Sequence, residues 1–157
     1  MDLGAYIPGS PALAGGRAYV GHYGSEVLCI DLATGKIVWR TKENNTPFFS
    51  SPAVTGDHVL IGGRDKKLHC YDRETGKSRW TFTAGGDVDS SPVVCGDKVV
   101  FGSDDGRLYL VRLDTGKLVW SYEIGKELTA SPAVADGLVV IGSVDGYVYA
   151  FGEKAWQ

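Results

Sequence analysis

No run in these 157 residues approaches the roughly 18 consecutive apolar positions a membrane helix needs, so no membrane insertion is expected. No basic stripe is present either. Sixteen Lys and Arg stand against nineteen Asp and Glu, a formal charge of −3 with the signs mixed along the chain, which excludes nucleic acid as the expected partner. Six prolines and no low-complexity run leave nothing that reads as a disordered linker. The three cysteines, Cys29, Cys70 and Cys95, form no C-x-x-C pair and no cluster with histidine, so neither a disulfide framework nor a zinc site is expected, and all three are read as small buried hydrophobes. His22, His58 and His69 fall at three different points of the repeat described below and suggest neither a ligand set nor a triad. Sustained 3.6-residue apolar spacing is missing, so helix is essentially absent. The opening "MDLGAYIPGS" has neither a basic nor an apolar leader region, and the expectation is a chain that is cytosolic or has been trimmed of an export signal.

What the chain has is glycine, 22 residues or about 14% against a usual 7%, and a repeat. Ser10-Pro11, Ser51-Pro52, Ser91-Pro92 and Ser131-Pro132 recur at spacings of 41, 40 and 40, and Trp39, Trp80 and Trp120 keep the same step. A fixed period of this size governs the whole reading. Inside one period, short Val/Ile/Tyr/Phe/Trp-rich runs alternate with turn residues: "SPAV", "HVLIGG", "LHCYD" and "SRWTFT", separated by Thr55-Gly56-Asp57, Arg64-Asp65-Lys66-Lys67 and Thr75-Gly76-Lys77. Asp105-Gly106 and Asp145-Gly146 are strong hairpin signals at equivalent points. Four antiparallel strands every 40 residues make an all-β fold of β-propeller blades rather than a solenoid. The blades run approximately over 10–49, 50–89, 90–129 and 130–157, with 1–9 read as the end of an outermost strand able to complete another blade.

The phrase "DLATGKIVW" (31–39) returns as "DRETGKSRW" (72–80) and "RLDTGKLVW" (112–120). Gly35, Gly76 and Gly116 turn the third strand into the fourth, Asp31 and Asp72 open the turn, and each tryptophan lies on the outermost strand, where it can cover the gap to the next blade. "CIDLATGKIVW" and "CYDRETGKSRW" resemble the tryptophan-docking repeat of the PQQ-like β-propellers, a family of quinoprotein dehydrogenases and of the propeller lipoprotein of outer-membrane assembly. Departures exist: Cys29, Cys70 and Leu110 replace the family's alanine, which Ala150 alone keeps, and Arg112 and Gly152 replace the acidic position. The fourth copy lacks the Thr-Gly-Lys turn, and Trp156 is either a displaced docking residue or part of a tail.

The resemblance implies rings of eight blades, sometimes fewer, and an extracytoplasmic or periplasmic place for a full-length parent. Four blades alone would leave two apolar faces uncovered. The expectation is therefore a homodimer closing one eight-bladed ring, residues near 2–7 completing the partner's fourth blade; a closed four-bladed monomer and half of a longer protein are the alternatives. The family's quinone and Ca²⁺ site cannot be carried over to any residue of this chain, which has no adjacent cysteines, so no cofactor and no enzyme activity are expected. Asp104-Asp105 invites an acid–base or Ca²⁺ reading but sits where hairpin chemistry favours aspartate. The strongest surface candidates are on one rim: Phe48, Phe49, Asn45, Arg64, Asp104, Asp105 and Tyr147. Phe48-Phe49 is the least expected pair there, able to anchor a protein or peptide or to pack under the next strand. The functional expectation is a non-catalytic, self-assembling scaffold with a rim suited to protein or peptide binding. The alternatives are a small-molecule or glycan site (or an enzyme) in the central funnel, or a truncated or engineered half-propeller with no independent function.

Overall fold

The computed structural model describes residues 1–42 and 45–152; Asn44 and Trp156 lie outside them. Fifteen strands and no helix occur among the described residues. They form four antiparallel sheets in strict chain order: β1 (Ala12–Ala14), β2 (Arg17–Gly21), β3 (Glu26–Asp31) and β4 (Ile37–Lys42); β5 (Ala53–Val54), β6 (His58–Gly63), β7 (Lys67–Asp72) and β8 (Ser78–Thr83); β9 (Val93–Cys95), β10 (Lys98–Gly102), β11 (Arg107–Arg112) and β12 (Leu118–Glu123); and the three-stranded β13 (Ala133–Ala135), β14 (Leu138–Gly142) and β15 (Val148–Gly152).

The second and third strands of a blade read as near-continuous apolar runs because both of their faces are covered, one by each neighbouring blade. Val59 and Ile61 of β6 join Tyr19, Val27, Cys29 and Trp39 of the first blade, while Leu60 between them joins Val99, Phe101 and Val111 of the third. A third cluster, with Leu108, Leu128 and Ile141, joins the third blade to the fourth. The outermost strands alternate instead, β4 burying Trp39 between exposed Val38 and Arg40, because solvent covers one face.

Each complete blade also breaks register at one point. The third and fourth strands slip between Cys29 and Ile30, between Cys70 and Tyr71, and between Leu110 and Val111, beside the pairs Cys29–Trp39, Cys70–Trp80 and Leu110–Trp120. A bulge there re-aims the side chains that follow.

One expectation needs correction. Cys29 and Cys70 are buried, but Cys95 is exposed: it ends β9 beside the tight turn into β10, outside the layer that neighbouring blades cover. Residues 1–11 form no strand. They run instead as the linker that precedes every blade. The Tyr6 carbonyl accepts the Tyr23 N–H at 2.8 Å, just as Pro47 accepts from Arg64, Asp87 from Asp104 and Glu127 from Val144.

Candidate interblade docks and rim

The Thr-Gly-Lys turn has the same build in three blades. Gly35, Gly76 and Gly116 take φ of 67°, 70° and 66°, and their N–H groups donate to Asp31, Asp72 and Arg112 carbonyls at 2.8–2.9 Å. The left-handed backbone there is what selects glycine. In the first two turns an aspartate caps the loop: Asp31 Oδ1 accepts from the Thr34 N–H and hydroxyl, both at 2.7 Å, and Asp72 Oδ1 accepts the same pair from Thr75. The Arg79 guanidinium, 2.6 Å from Asp72 Oδ2, and then Thr75 hold the Asp72 carboxyl well below the usual carboxylate range.

Each turn is also the floor of a dock for the tryptophan of the preceding blade. Trp39 Nε1 donates to the Arg73 carbonyl at 2.9 Å, and Trp80 Nε1 to the Leu113 carbonyl at 3.0 Å. The rings lie so close over the turns that a Cβ added at Gly76 would meet Trp39 Cδ2 at 2.7 Å, and one at Gly116 would strike Trp80. Glycine is thus required twice over, by φ and by the ring. Trp120 reaches the fourth blade differently, its ring meeting Phe151 edge-on at 5.5 Å with Tyr122 stacked at 6.0 Å.

Nearer the ring axis, the serines of the Ser-Pro motifs form a ladder. The Ser10 N–H donates to Ser51 Oγ at 2.9 Å, Ser51 to Ser91 at 2.8 Å, and Ser91 to Ser131 at 3.1 Å. On the rim, the loop between the second and third strands is pinned from below by an aspartate and an aromatic ring four residues on. Asp105 accepts the Tyr109 hydroxyl at 2.6 Å, Asp145 the Tyr149 hydroxyl at 2.7 Å, and Asp65 faces His69 Nε2 at 3.0 Å. Asp105 also accepts the N–H of Gly85 and of Arg107. These three hydrogen bonds give Asp105 a structural task in the loop.

Above this layer the accessible groups form a row. Tyr23 and Phe49 meet edge-on at 6.1 Å, the Arg64 guanidinium lies 3.7 Å over the Phe49 ring, and Arg64 forks onto Asp89 at 2.7–3.2 Å. Asp104 follows, lining an open cleft of about 360 Å³ with Lys126, Glu127 and Val144. Burial, with the negative charges of Asp89, Glu127 and Asp87 around it, pushes the Asp104 carboxyl up to about 6, against the opposing pull of Arg64.

Comparison with known proteins follows the same lines. A family model described as "Outer membrane protein assembly factor BamB" matches residues 2–61, 24–111 and 96–157. The chain belongs to this family of PQQ-like propellers. No curated protein matches it in sequence. Among solved structures, BamB from Moraxella catarrhalis superposes with a TM-score of 0.86 at 20% identity, over 97% of this chain and 48% of that one. The computationally designed Ika4 protein gives 0.86 at 19% identity over 96% and 93%, and the designed Ika8 protein 0.83 at 20% over 93% and 45%. The chain therefore spans about half of the BamB structure and nearly all of Ika4.

Within the BamB-like frame, Asn45 and Tyr147 are exposed and Phe49 is half-buried. Phe48 does not belong with the rim residues. It is 1% exposed, at the position that Val88 and Leu128 fill in later blades, and its ring packs in the core between the first two blades. Sequence reading missed the Asp–Tyr pairs and the serine ladder, although both recur at the 40-residue step and were open to detection as repeated polar positions.

Proposed function

We propose that this BamB-like propeller is a non-catalytic scaffold, that two copies close one eight-bladed ring, and that the rim row of Tyr23, Phe49 and Arg64 takes up a segment of a partner protein. One observation carries the assembly. Val27, Leu68 and Leu108 occupy one repeat position and are 0% exposed, each under the following blade, whereas Val148 at the same position of the fourth blade is 73% exposed. At the other end Leu13 stands exposed, while its equivalents Val54, Val94 and Val134 pack against the interblade cores. The two uncovered faces are the two halves of an interface this chain already makes three times, so a second copy satisfies both in a two-fold ring. The ladder supports the same reading, because ring closure would let the Ser131 N–H donate to Ser10 Oγ of the partner.

Light scattering across a dilution series tests it. The expected mass is close to twice 16.8 kDa, and Val148→Glu, which puts a charge into the closing face, is expected to give a folded monomer. A wild type that remains monomeric throughout would defeat the ring.

The rim is tested separately with an array of unstructured peptides bearing aromatic and acidic residues. Phe49→Ala is expected to weaken the selected peptide about tenfold with little change in melting temperature, since it removes a half-buried rim anchor outside the interblade core. Phe48→Ala, by contrast, is expected to cost about 3–5 kcal/mol of stability. An array without any selective binder would remove the rim from the function.

A further inference from the structure

On the side away from the rim, the first residue of each second strand faces the last residue of the third. Arg17 pairs with Asp31, His58 with Asp72, Lys98 with Arg112 and Leu138 with Gly152. Of these, only His58 has an ordinary titration range near neutral pH. Blade two differs from its neighbours in a second way. Arg79 stands just before Trp80, where Val38 precedes Trp39 and Val119 precedes Trp120.

These two residues meet. Arg79 Nη1 lies 3.2 Å from His58 Nε2, and Arg79 Nη2 lies 2.6 Å from Asp72 Oδ2. A guanidinium only donates, so Nε2 is the acceptor and the imidazole is neutral, with its proton on Nδ1 facing Thr55 Oγ1 at 3.3 Å. The surroundings are charged on every side. Asp57 from its own turn, Asp72 from β7 and Asp114 from the turn of blade three face the half-buried ring with negative charge, and Arg79 from β8 with positive. The Arg73 guanidinium donates to the Thr55 and Gly56 carbonyls beside it. Burial, and after it Arg79, hold the imidazole below the ordinary histidine value against the pull of the three carboxylates.

A proton arriving at Nε2 removes the lone pair that Arg79 uses and sets two cations against each other. Asp72, held well below the carboxylate range, stays ionised while this happens. We propose that His58 is a proton-operated switch, whose imidazolium in mild acid displaces Arg79 from Asp72 and loosens the turn on which Trp39 rests. That turn depends on Asp72: Oδ1 accepts the N–H groups of Glu74 and Thr75, and the same residues offer the Arg73 carbonyl to Trp39 Nε1 and Gly76 to its ring. The turn of blade three opens on Arg112 beside Lys98 instead, so the Trp80 dock has no such switch and serves as an internal reference.

Hydrogen exchange of the Trp39 and Trp80 indole N–H groups, followed by NMR from about pH 7.5 to about pH 5, tests the switch. Taking the ratio of the two cancels the intrinsic pH dependence of exchange. As His58 titrates, protection of Trp39 relative to Trp80 is expected to fall about tenfold, the equivalent of one hydrogen bond, and the Arg79 guanidinium resonance to shift with the same midpoint. His58→Gln offers Arg79 an acceptor that does not titrate, and is expected to hold the ratio constant. Arg79→Leu is expected to move the His58 midpoint up toward the ordinary histidine value. A ratio that stays constant in the wild type, or falls equally in His58→Gln, would overturn the switch, as would a midpoint indifferent to Arg79→Leu.

Discussion

Asp104 shows how much a single position depends on its neighbours. Its carboxyl is held near 6 in the folded protein by burial first, then by Asp89, Glu127 and Asp87, whereas in an unfolded chain it titrates near 4. Between those pH values the folded state keeps a proton the unfolded state has released, so stability falls as pH rises from about 4 to about 6 and stays lower above. Asp104→Asn removes that penalty. The variant is expected to match wild type at pH 4 and to exceed it at pH 7 by about 1–2 kcal/mol, the full shift being discounted for solvent screening; urea denaturation at the two pH values would measure it, and equal stabilities at pH 7 would contradict the account. Asp72 carries the opposite sign. Its depressed carboxyl stabilises the fold above its unfolded value, and that contribution is lost as pH falls toward the folded one. Sequence reading placed both residues in turns but had no means of seeing that one is surrounded by carboxylates and the other by an arginine and a threonine.

At the scale of the element, the hairpin from third to fourth strand joins local conformation to packing. The same turn occurs with a ring over it at Gly116 and, among the described residues, with none over it at Gly35, which allows the two causes to be separated. Gly35→Ala is expected to cost about 1 kcal/mol, the strain of a left-handed non-glycine residue. Gly116→Ala must in addition displace Trp80 and is expected to cost about 3 kcal/mol, part of the burial and hydrogen bond of a docked indole. Equal losses in chemical denaturation would mean that docking contributes little. This element was the most legible part of the chain, because glycine, aspartate and tryptophan are each demanded by a separate physical constraint and so recur together. Phe48 and Phe49 were harder to separate, since adjacent residues of a linker point to opposite sides and composition does not say which side is core.

At the scale of the molecule, a blade is a sheet with two apolar faces, and a row of such sheets leaves one face uncovered at each end. Val148 and Leu13 mark those ends. The proposed ring follows from self-complementarity rather than from any single strong contact, since the closing interface repeats a packing geometry already present between blades one and two, two and three, and three and four. In the proposed ring the serine ladder lies on the inside of the closing contact.

The sequence by itself determined the period, the four strands of a blade, the turn residues and the docking tryptophans, because each is a local requirement of backbone conformation or of alternating burial that repeats every 40 residues. Tertiary structure alone decided which of two neighbouring phenylalanines is core, that Cys95 is exposed, and that among the described residues one of three turns of the same build has no ring above it. Those outcomes depend on which surfaces lie across from one another, and a one-dimensional pattern cannot encode what a residue faces from a neighbouring blade.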